Sequence, residues 1–260
     1  MPKLTVSLAQ FRIALADPAR NWTAVEKLTQ EAARRGSHLI VLPELWSTGY
    51  ALDRANAFAT TLNTGIFTQL ANLATQANIC IIGSVLEKRG NDITNSAAFF
   101  GPKGQMLGLY RKIHLFRLMA EDSYLRPGQS PLLMDLPWGK TAVAICYDLR
   151  FPELFRRYAL DGARLCIIPA EWPIERIDHW TTLLRARAIE NQMYILACNS
   201  CGETGGTTFG GQSMLVDPWG KVIAAAGEDA ALLTAEIDLD RVDEVRSRIT
   251  VFEDRRPELY

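Results

Sequence analysis

Leu39-Ile40-Val41-Leu42-Pro43-Glu44 runs four aliphatic residues into a proline and a glutamate, and Cys166-Ile167-Ile168-Pro169-Ala170-Glu171 echoes the pattern in the second half of the chain. A strand without polar positions has no face to turn toward water, so both runs read as strands buried on two sides under helices. Their shared ending points to equivalent strands of two pseudo-symmetric halves.

Working outward, further strand-like runs rich in Val, Ile and Leu lie at residues 4–9, 79–86, 105–110, 142–145 and 194–197. Helical periodicity predicts helices at 22–35, 66–76, 152–160 and 177–192, the first with Asn21 as N-cap and Gly36 as its stop. Four turn sequences separate neighbouring runs: Lys88-Arg89-Gly90-Asn91-Asp92, Gly101-Pro102-Lys103-Gly104, Pro137-Trp138-Gly139-Lys140 and Asp217-Pro218-Trp219-Gly220-Lys221. So many hairpins do not fit a simple parallel sheet. Crossovers and hairpins together predict an α/β chain with two packed sheets and helices outside, a four-layer α-β-β-α sandwich. No low-complexity linker divides the chain, so one domain over 1–260 is expected.

Of 260 residues, 48% are hydrophobic, enough to fill a substantial core. Lys and Arg total 28 against 29 Asp and Glu, a net charge of -1, so no basic field is available to attract nucleic acid. The alternation Leu4, Val6, Leu8 reads as a first strand and not as a signal peptide. No run reaches the ~18 apolar residues of a membrane span, and five cysteines is an odd number for a disulfide framework. The expected setting is the cytoplasm, away from membranes.

Cys146 closes an apolar strand and precedes a helix beginning near Pro152. Such a strand-turn-helix elbow presents a nucleophile at a sheet edge, beside backbone N–H groups and the positive end of a helix. Alone, Cys146 reads equally as an inert buried thiol, as Cys80 and Cys166 do in mid-strand. Glu44, just past the end of its buried strand and hemmed in by Pro43, Leu45 and Trp46, sits where α/β folds assemble sites and suits a general base, although a surface loop glutamate would look the same. Lys112, in Tyr110-Arg111-Lys112-Ile113-His114-Leu115-Phe116, is a cation among large apolar groups. It is either a snorkelling surface lysine or a buried one held by charged partners, able to stabilise an oxyanion.

Taken together, these segments resemble the nitrilase (carbon-nitrogen hydrolase) superfamily over essentially the whole chain. The matching pieces are Leu42-Pro43-Glu44 with Gly49-Tyr50, Tyr110-Arg111-Lys112 with His114-Leu115-Phe116, and Cys146-Tyr147-Asp148-Leu149-Arg150-Phe151-Pro152-Glu153. The segments from Arg185 to Gln192 and from Ser213 to Gly220 match as well. The resemblance implies a Glu44–Lys112–Cys146 triad on a four-layer α-β-β-α fold. It also implies Glu121 as a supporting glutamate that orients the lysine, and a homodimer or higher homo-oligomer built on the helices after the nucleophile. The implied reaction is amide hydrolysis through a cysteinyl thioester, with the Tyr147 backbone N–H joining Lys112 on the oxyanion and no metal or organic cofactor required.

Within the superfamily, Pro169-Ala170-Glu171-Trp172-Pro173, Arg176, Asp178-His179-Trp180 and the ending 251–260 most resemble omega-amidases, in particular the 2-oxoglutaramate amidases of methionine salvage. A dicarboxylate-like substrate needs a cation for its far carboxylate, which an arginine fork suits. Arg176 is the candidate, with Trp172 as a wall, and Tyr50 and Arg150 complete the candidate substrate-binding set. Other activities of the same triad, on N-carbamoyl amino acids, aliphatic amides or nitriles, remain open alternatives. A histidine base has only His38, His114 and His179 to draw on, none in a matching signature. Cys198-Asn199-Ser200-Cys201 raises a remote redox alternative, but no second cysteine pair completes a zinc site and a Gly-rich stretch, 202–211, follows in place of a helix. That stretch lacks a phosphate-loop pattern and reads as a flexible loop near the pocket.

Overall fold

Residues 39–41 are apolar at every position, and the fold buries them on both sides. A computed structural model describes residues 3–259; Met1, Pro2 and Tyr260, the last residue of the C-terminal ending quoted above, lie outside the described residues. The first half supplies strands β1 (Leu4–Gln10), β2 (Leu39–Val41), β3 (Cys80–Arg89), β4 (Asp92–Phe100) and β5 (Met106–Arg111). The second supplies β6 (Leu132–Leu136), β7 (Gly139–Val143), β8 (Leu165–Ala170), β9 (Tyr194–Asn199), β10 (Cys201–Thr204), β11 (Thr207–Gly210), β12 (Met214–Val216) and β13 (Val222–Ala225). The chain then returns to the edge of the first sheet as β14 (Ala231–Ile237).

The two six-stranded sheets run β14-β1-β2-β3-β4-β5 and β6-β7-β8-β9-β12-β13. In the first, β1, β2 and β3 are parallel and the flanking pairs antiparallel. In the second, β7, β8 and β9 are parallel and the flanking pairs antiparallel. The wiring is the same, and the two echoing sequence runs occupy the same place in it, the middle of each parallel triplet.

Helices make the crossovers that parallel neighbours require. Helix α1 (Pro18–Arg34) joins β1 to β2; the short α2 (Ala55–Phe58) and α3 (Gly65–Ala77) lie between β2 and β3; α4 (Glu121–Tyr124) is a single turn after β5. In the second half α5 (Pro152–Leu160) joins β7 to β8 and α6 (Ile177–Asn191) joins β8 to β9, while α7 (Asp240–Arg248) follows β14. Alternation along β2 sorts its side chains. Leu39 and Val41 share a buried cluster with Ile145, Ile167 and Leu196 of the second sheet, whereas Ile40 and Leu42 pack with Val25 of α1 and Phe67 and Leu70 of α3. Each such side chain contributes about 1.5–3 kcal/mol when fully buried. Two sheets face to face with helices outside is the four-layer arrangement expected.

All four turn sequences close hairpins, β3–β4, β4–β5, β6–β7 and β12–β13. Two local expectations are corrected. Helix α1 begins earlier than its apolar period, because Asp17 is the N-cap, its Oδ1 accepting from Arg20 N at 3.1 Å. Asn21 is buried inside the helix, where it pins the preceding loop through Ala14 N and Ala14 O and the segment after β2 through Ser47 O. The Gly-rich stretch is not a loop but the β10–β11 hairpin, with Gly205 and Gly206 at positive φ in its turn. Among the described residues no helix is long and apolar enough to cross a membrane.

Candidate active site

The elbow after β7 is held by one carboxylate. Asp148 Oδ2 accepts from Ile145 N (2.8 Å) and from the Tyr110 hydroxyl (2.7 Å), while Oδ1 accepts from His114 N (3.0 Å) and lies 2.7 Å from His114 Nδ1. Around it the chain makes a 3-10 turn, Cys146–Arg150, and enters α5 at Pro152, whose missing N–H suits a first helical turn. Arg187 of α6 secures the turn from outside by donating twice to Leu149 O. Cys146 itself has φ +44°, a left-handed conformation that a non-glycine residue adopts only under restraint. Leu45 (φ +41°) and Ala120 (φ +56°), next to Glu44 and Glu121, share that conformation, so strained backbone adjoins three of the candidate residues.

Lys112, past the end of β5, lies between two glutamates. Its Nζ donates to Glu44 Oε1 at 2.7 Å and to Glu121 Oε1 at 2.6 Å, and all three side chains have no solvent exposure. The alternatives of a surface glutamate and a snorkelling lysine are thereby removed. Asn95 of β4 donates to Glu44 Oε1 at 2.8 Å, and the backbone N–H of Glu171 donates to Glu44 Oε2 at 3.0 Å. Glu121 is fixed in turn by the Tyr50 hydroxyl (2.7 Å) and Phe116 N (2.7 Å). Beside Lys112, Arg111 grips the buried Glu87 through two 2.7 Å hydrogen bonds, with Ser96 and Thr94 also donating to it. Burial pushes Glu87 up, but Arg111 and Ser96 outweigh it and hold the carboxyl below its ordinary value.

Glu171 links the carboxylate to the sulfur. While its N–H is on Glu44, its carbonyl oxygen lies 3.8 Å from Cys146 Sγ, which donates to it. Burial and then the Glu44 carboxylate push the Cys146 thiol well above its ordinary value, with Lys112 pulling the other way. The resting sulfur is therefore protonated and needs a base when substrate arrives. Burial also opposes the charge on Lys112, but Glu44 and Glu121 overcome it and hold the ammonium protonated. Burial raises Glu121 against the pull of Lys112, with Glu44 adding to the rise. Such a set offers a nucleophile, a proton acceptor and a fixed cation in a dry setting where charge interactions are strong.

Cys146, Tyr147, Arg150, Glu171, Trp172 and Arg176 line one narrow pocket together with Phe116 and Pro173. Arg150 lies over the Trp172 ring (4.8 Å to its centroid) and within 3.2 Å of His179 Nδ1, and Arg176 lies over Phe116 (5.5 Å). Trp172 is anchored from both ends, its N–H on Asn199 Oδ1 (2.6 Å) and its Nε1 on Arg176 O (2.8 Å). Tyr147 packs between Phe116 and Phe151. Of the candidate substrate-binding set, Trp172, Arg176 and Arg150 are together in this pocket. Tyr50 is not on its wall and is spent on Glu121. His114 is stacked on Phe151 and tied to Asp148, a structural role. Cys198 and Cys201 are free buried thiols that burial pushes upward, Cys201 to about 11, which leaves little thiolate for redox chemistry.

Glu171, Asn95 and Asp148 were given no role from sequence. The signals for Glu171 were its place in the echo of the Glu44 segment and in the Pro169-Ala170-Glu171-Trp172-Pro173 stretch, neither of which names a role. Asn95 reads as an ordinary polar strand residue, and Asp148 as one residue of a motif.

A family model described as carbon-nitrogen hydrolase matches residues 5–247. The chain is 39% identical over 259 residues to a 2-oxoglutaramate amidase of Bacillus subtilis (strain 168), covering 99% of this chain and 100% of that protein. It is 34% identical over 270 residues to the omega-amidase NIT2 of Xenopus tropicalis, covering 100% and 98%. The crystal structure of Saccharomyces cerevisiae Nit3, a member of branch 10 of the nitrilase superfamily, matches with a TM-score of 0.90 at 30% identity, over 98% of this chain and 97% of that one.

Proposed function

The chain belongs to the carbon-nitrogen hydrolase family and is a hydrolase of carbon–nitrogen bonds other than peptide bonds; from that premise we propose that it cleaves a small omega-amide, 2-oxoglutaramate, through a thioester on Cys146. The observation that carries this reading is the Lys112 ammonium, 2.7 Å from Glu44 and 2.6 Å from Glu121, with Glu44 joined to the Cys146 pocket through Glu171.

In the proposed reaction Glu44 takes the thiol proton as the sulfur attacks the amide carbonyl. Lys112 Nζ and the Tyr147 backbone N–H hold the developing oxyanion. Glu44 then returns the proton to the amide nitrogen, the C–N bond breaks and ammonia leaves. Water gives a proton to Glu44 and attacks the thioester carbonyl, the C–S bond breaks, and the sulfur recovers the proton as the acid departs. Glu121 positions Lys112 throughout. Arg176 and Arg150 receive the far carboxylate, and Trp172 forms the wall between them. The proposal treats residues 1–260 as one domain working in the cytoplasm, in methionine salvage, as a homodimer or higher homo-oligomer. Leu160 of α5 and Ile189 of α6, 43% and 50% exposed, are apolar residues suited to that contact, and sedimentation velocity checks it.

Ammonia release from 2-oxoglutaramate, glutamine, an N-carbamoyl amino acid and a nitrile, by wild type and Cys146→Ala, tests the reading. Turnover is expected on 2-oxoglutaramate and is expected to vanish in Cys146→Ala with unchanged circular dichroism. Activity on the nitrile alone would overturn the substrate. An unchanged KM in Arg176→Ala would remove Arg176 from carboxylate binding.

A further inference from the structure

The Glu171 side chain has no part in the reaction just described, yet it belongs to a residue on the wall of the Cys146 pocket. It is fully buried, and neither carboxyl oxygen has a hydrogen-bond partner. Its own backbone groups are engaged, the N–H with Glu44 and the carbonyl with Cys146, so the side chain alone is unsatisfied. A buried polar group left unpaired carries a desolvation penalty that folding does not recover, and such a group in a native site calls for a reason.

Charge balance fixes its state. Glu44, Glu121 and Glu171 are all buried with a single ammonium, that of Lys112, which is already bonded to the first two. The other titratable neighbours are the Cys146 thiol and the Tyr50 hydroxyl, with Arg150 and Arg176 on the pocket wall. A third unpaired carboxylate there would be prohibitively desolvated, whereas a carboxylic acid is tolerable. Burial and then Glu44 both push the Glu171 carboxyl well above its ordinary value, against the pull of Lys112. A neutral acid carries an O–H, a donor that no residue around it uses.

We propose that Glu171, as the neutral carboxylic acid, is a substrate-binding residue that donates its O–H to an oxygen acceptor on the acyl part of the amide, selecting substrates that carry a keto oxygen. This rests on the proposed omega-amidase function and deepens it: the guanidinium groups take the far carboxylate, and Glu171 reads the keto oxygen. A site with a buried donor discriminates against an analogue lacking the acceptor, because the donor is then left unpaired.

The test compares kcat and KM of wild type, Glu171→Met and Glu171→Gln on 2-oxoglutaramate and on glutaramate, which lacks the keto oxygen. Glu171→Met, which keeps the length but has no donor, is expected to lose about tenfold or more in kcat/KM on 2-oxoglutaramate, chiefly through KM, and far less on glutaramate. Glu171→Gln, whose amide N–H restores a donor, is expected to recover most of that preference. Equal losses on both amides, or an unaltered preference in Glu171→Met, would overturn the proposal. Infrared difference spectra give a second readout that needs neither turnover nor a folded Met variant. Wild type is expected to show a protonated-carboxyl band that shifts when 2-oxoglutarate is added and is missing from Glu171→Gln; no such band, or one that does not shift, counts against Glu171. Failure of the parent reading looks different, as turnover surviving in Cys146→Ala or wild type inert on both amides.

Discussion

Glu44 follows β2 and Glu171 follows β8, the central strands of two sheets wired alike, and each glutamate comes shortly after a proline. The two meet in one place, Glu44 N donating to Ala170 O at 3.3 Å and Glu171 N to Glu44 Oε2 at 3.0 Å. There the likeness stops. Glu44 receives an ammonium from the end of β5 and an amide from β4, whereas the strand that matches β5 in the second sheet, β13, is Val222-Ile223-Ala224-Ala225 and brings no cation. One glutamate is thus held as a hydrogen-bonded partner of a cation, and the other, fully buried, is pushed toward its neutral form. The lesson is that backbone wiring sets where a carboxyl sits, while the neighbouring strands decide which proton chemistry it can perform.

The sharpest way to break this contrast is to neutralise Glu44 by an isosteric change. Glu44→Gln is expected to lower kcat on the best amide by about 10²–10⁴-fold with the fold intact, a much larger fall than in Glu171→Gln; similar losses in both variants would erase the distinction. Removing the cation comes next. Lys112→Met leaves buried carboxylates without their partner and is expected to cost about 3–5 kcal/mol in denaturant unfolding at pH 7. The sign with pH follows from Glu121, already raised by burial and raised further without Lys112. A group whose folded pKa exceeds its unfolded value of ~4.3 contributes stability below that value and loses it as pH rises through the folded pKa. The deficit of Lys112→Met against wild type should therefore shrink as pH is lowered; a deficit independent of pH would refute the pairing.

A smaller effect is expected at the elbow after β7. Asp148→Asn weakens its grip on Ile145, Tyr110 and His114, and a loss of about 2–3 kcal/mol is expected from chemical unfolding. The smallest concerns Glu87, whose folded pKa is held low. A depressed carboxyl contributes stability above its unfolded value of ~4.3 and loses it as pH falls through the folded pKa. Glu87→Gln, which loses the charge facing Arg111, should lower stability by ~1–2 kcal/mol near neutrality and narrow its gap to wild type in acid, as seen in thermal melts at a series of pH values.

Much of this was readable from residues. The runs at 39–42 and 165–168 are apolar throughout, which only a doubly covered strand tolerates, and four of the hairpins carried readable turn chemistry. Strand β14 was missed because its edge position leaves it half-exposed, with a burial pattern no alternation betrays. Helix α7 buries only Val242 and Val245 of its nine residues, too few to set a period. The hairpin β10–β11 was hidden by the same glycines that make its turn possible. Within the site, Glu44, Lys112 and Cys146 each read equally well as inert or surface residues, and only the resemblance of their three segments to one family set them apart. The unpartnered state of Glu171 depends on how two sheets face each other, and the reach of Asn95 on how β4 and β2 flank β3 in the first sheet, long-range facts that no local pattern encodes.

The left-handed turn at Cys146 also bears on how heat silences the protein. Ile145, Cys146 and Leu149 belong to the same buried cluster as the strands of both sheets, and Asp148 beside them is buried too, so the strained turn cannot open without exposing part of that core. Endurance at work and the melting temperature are thereby tied together in this chain, and a variant that melts later should also stay active longer.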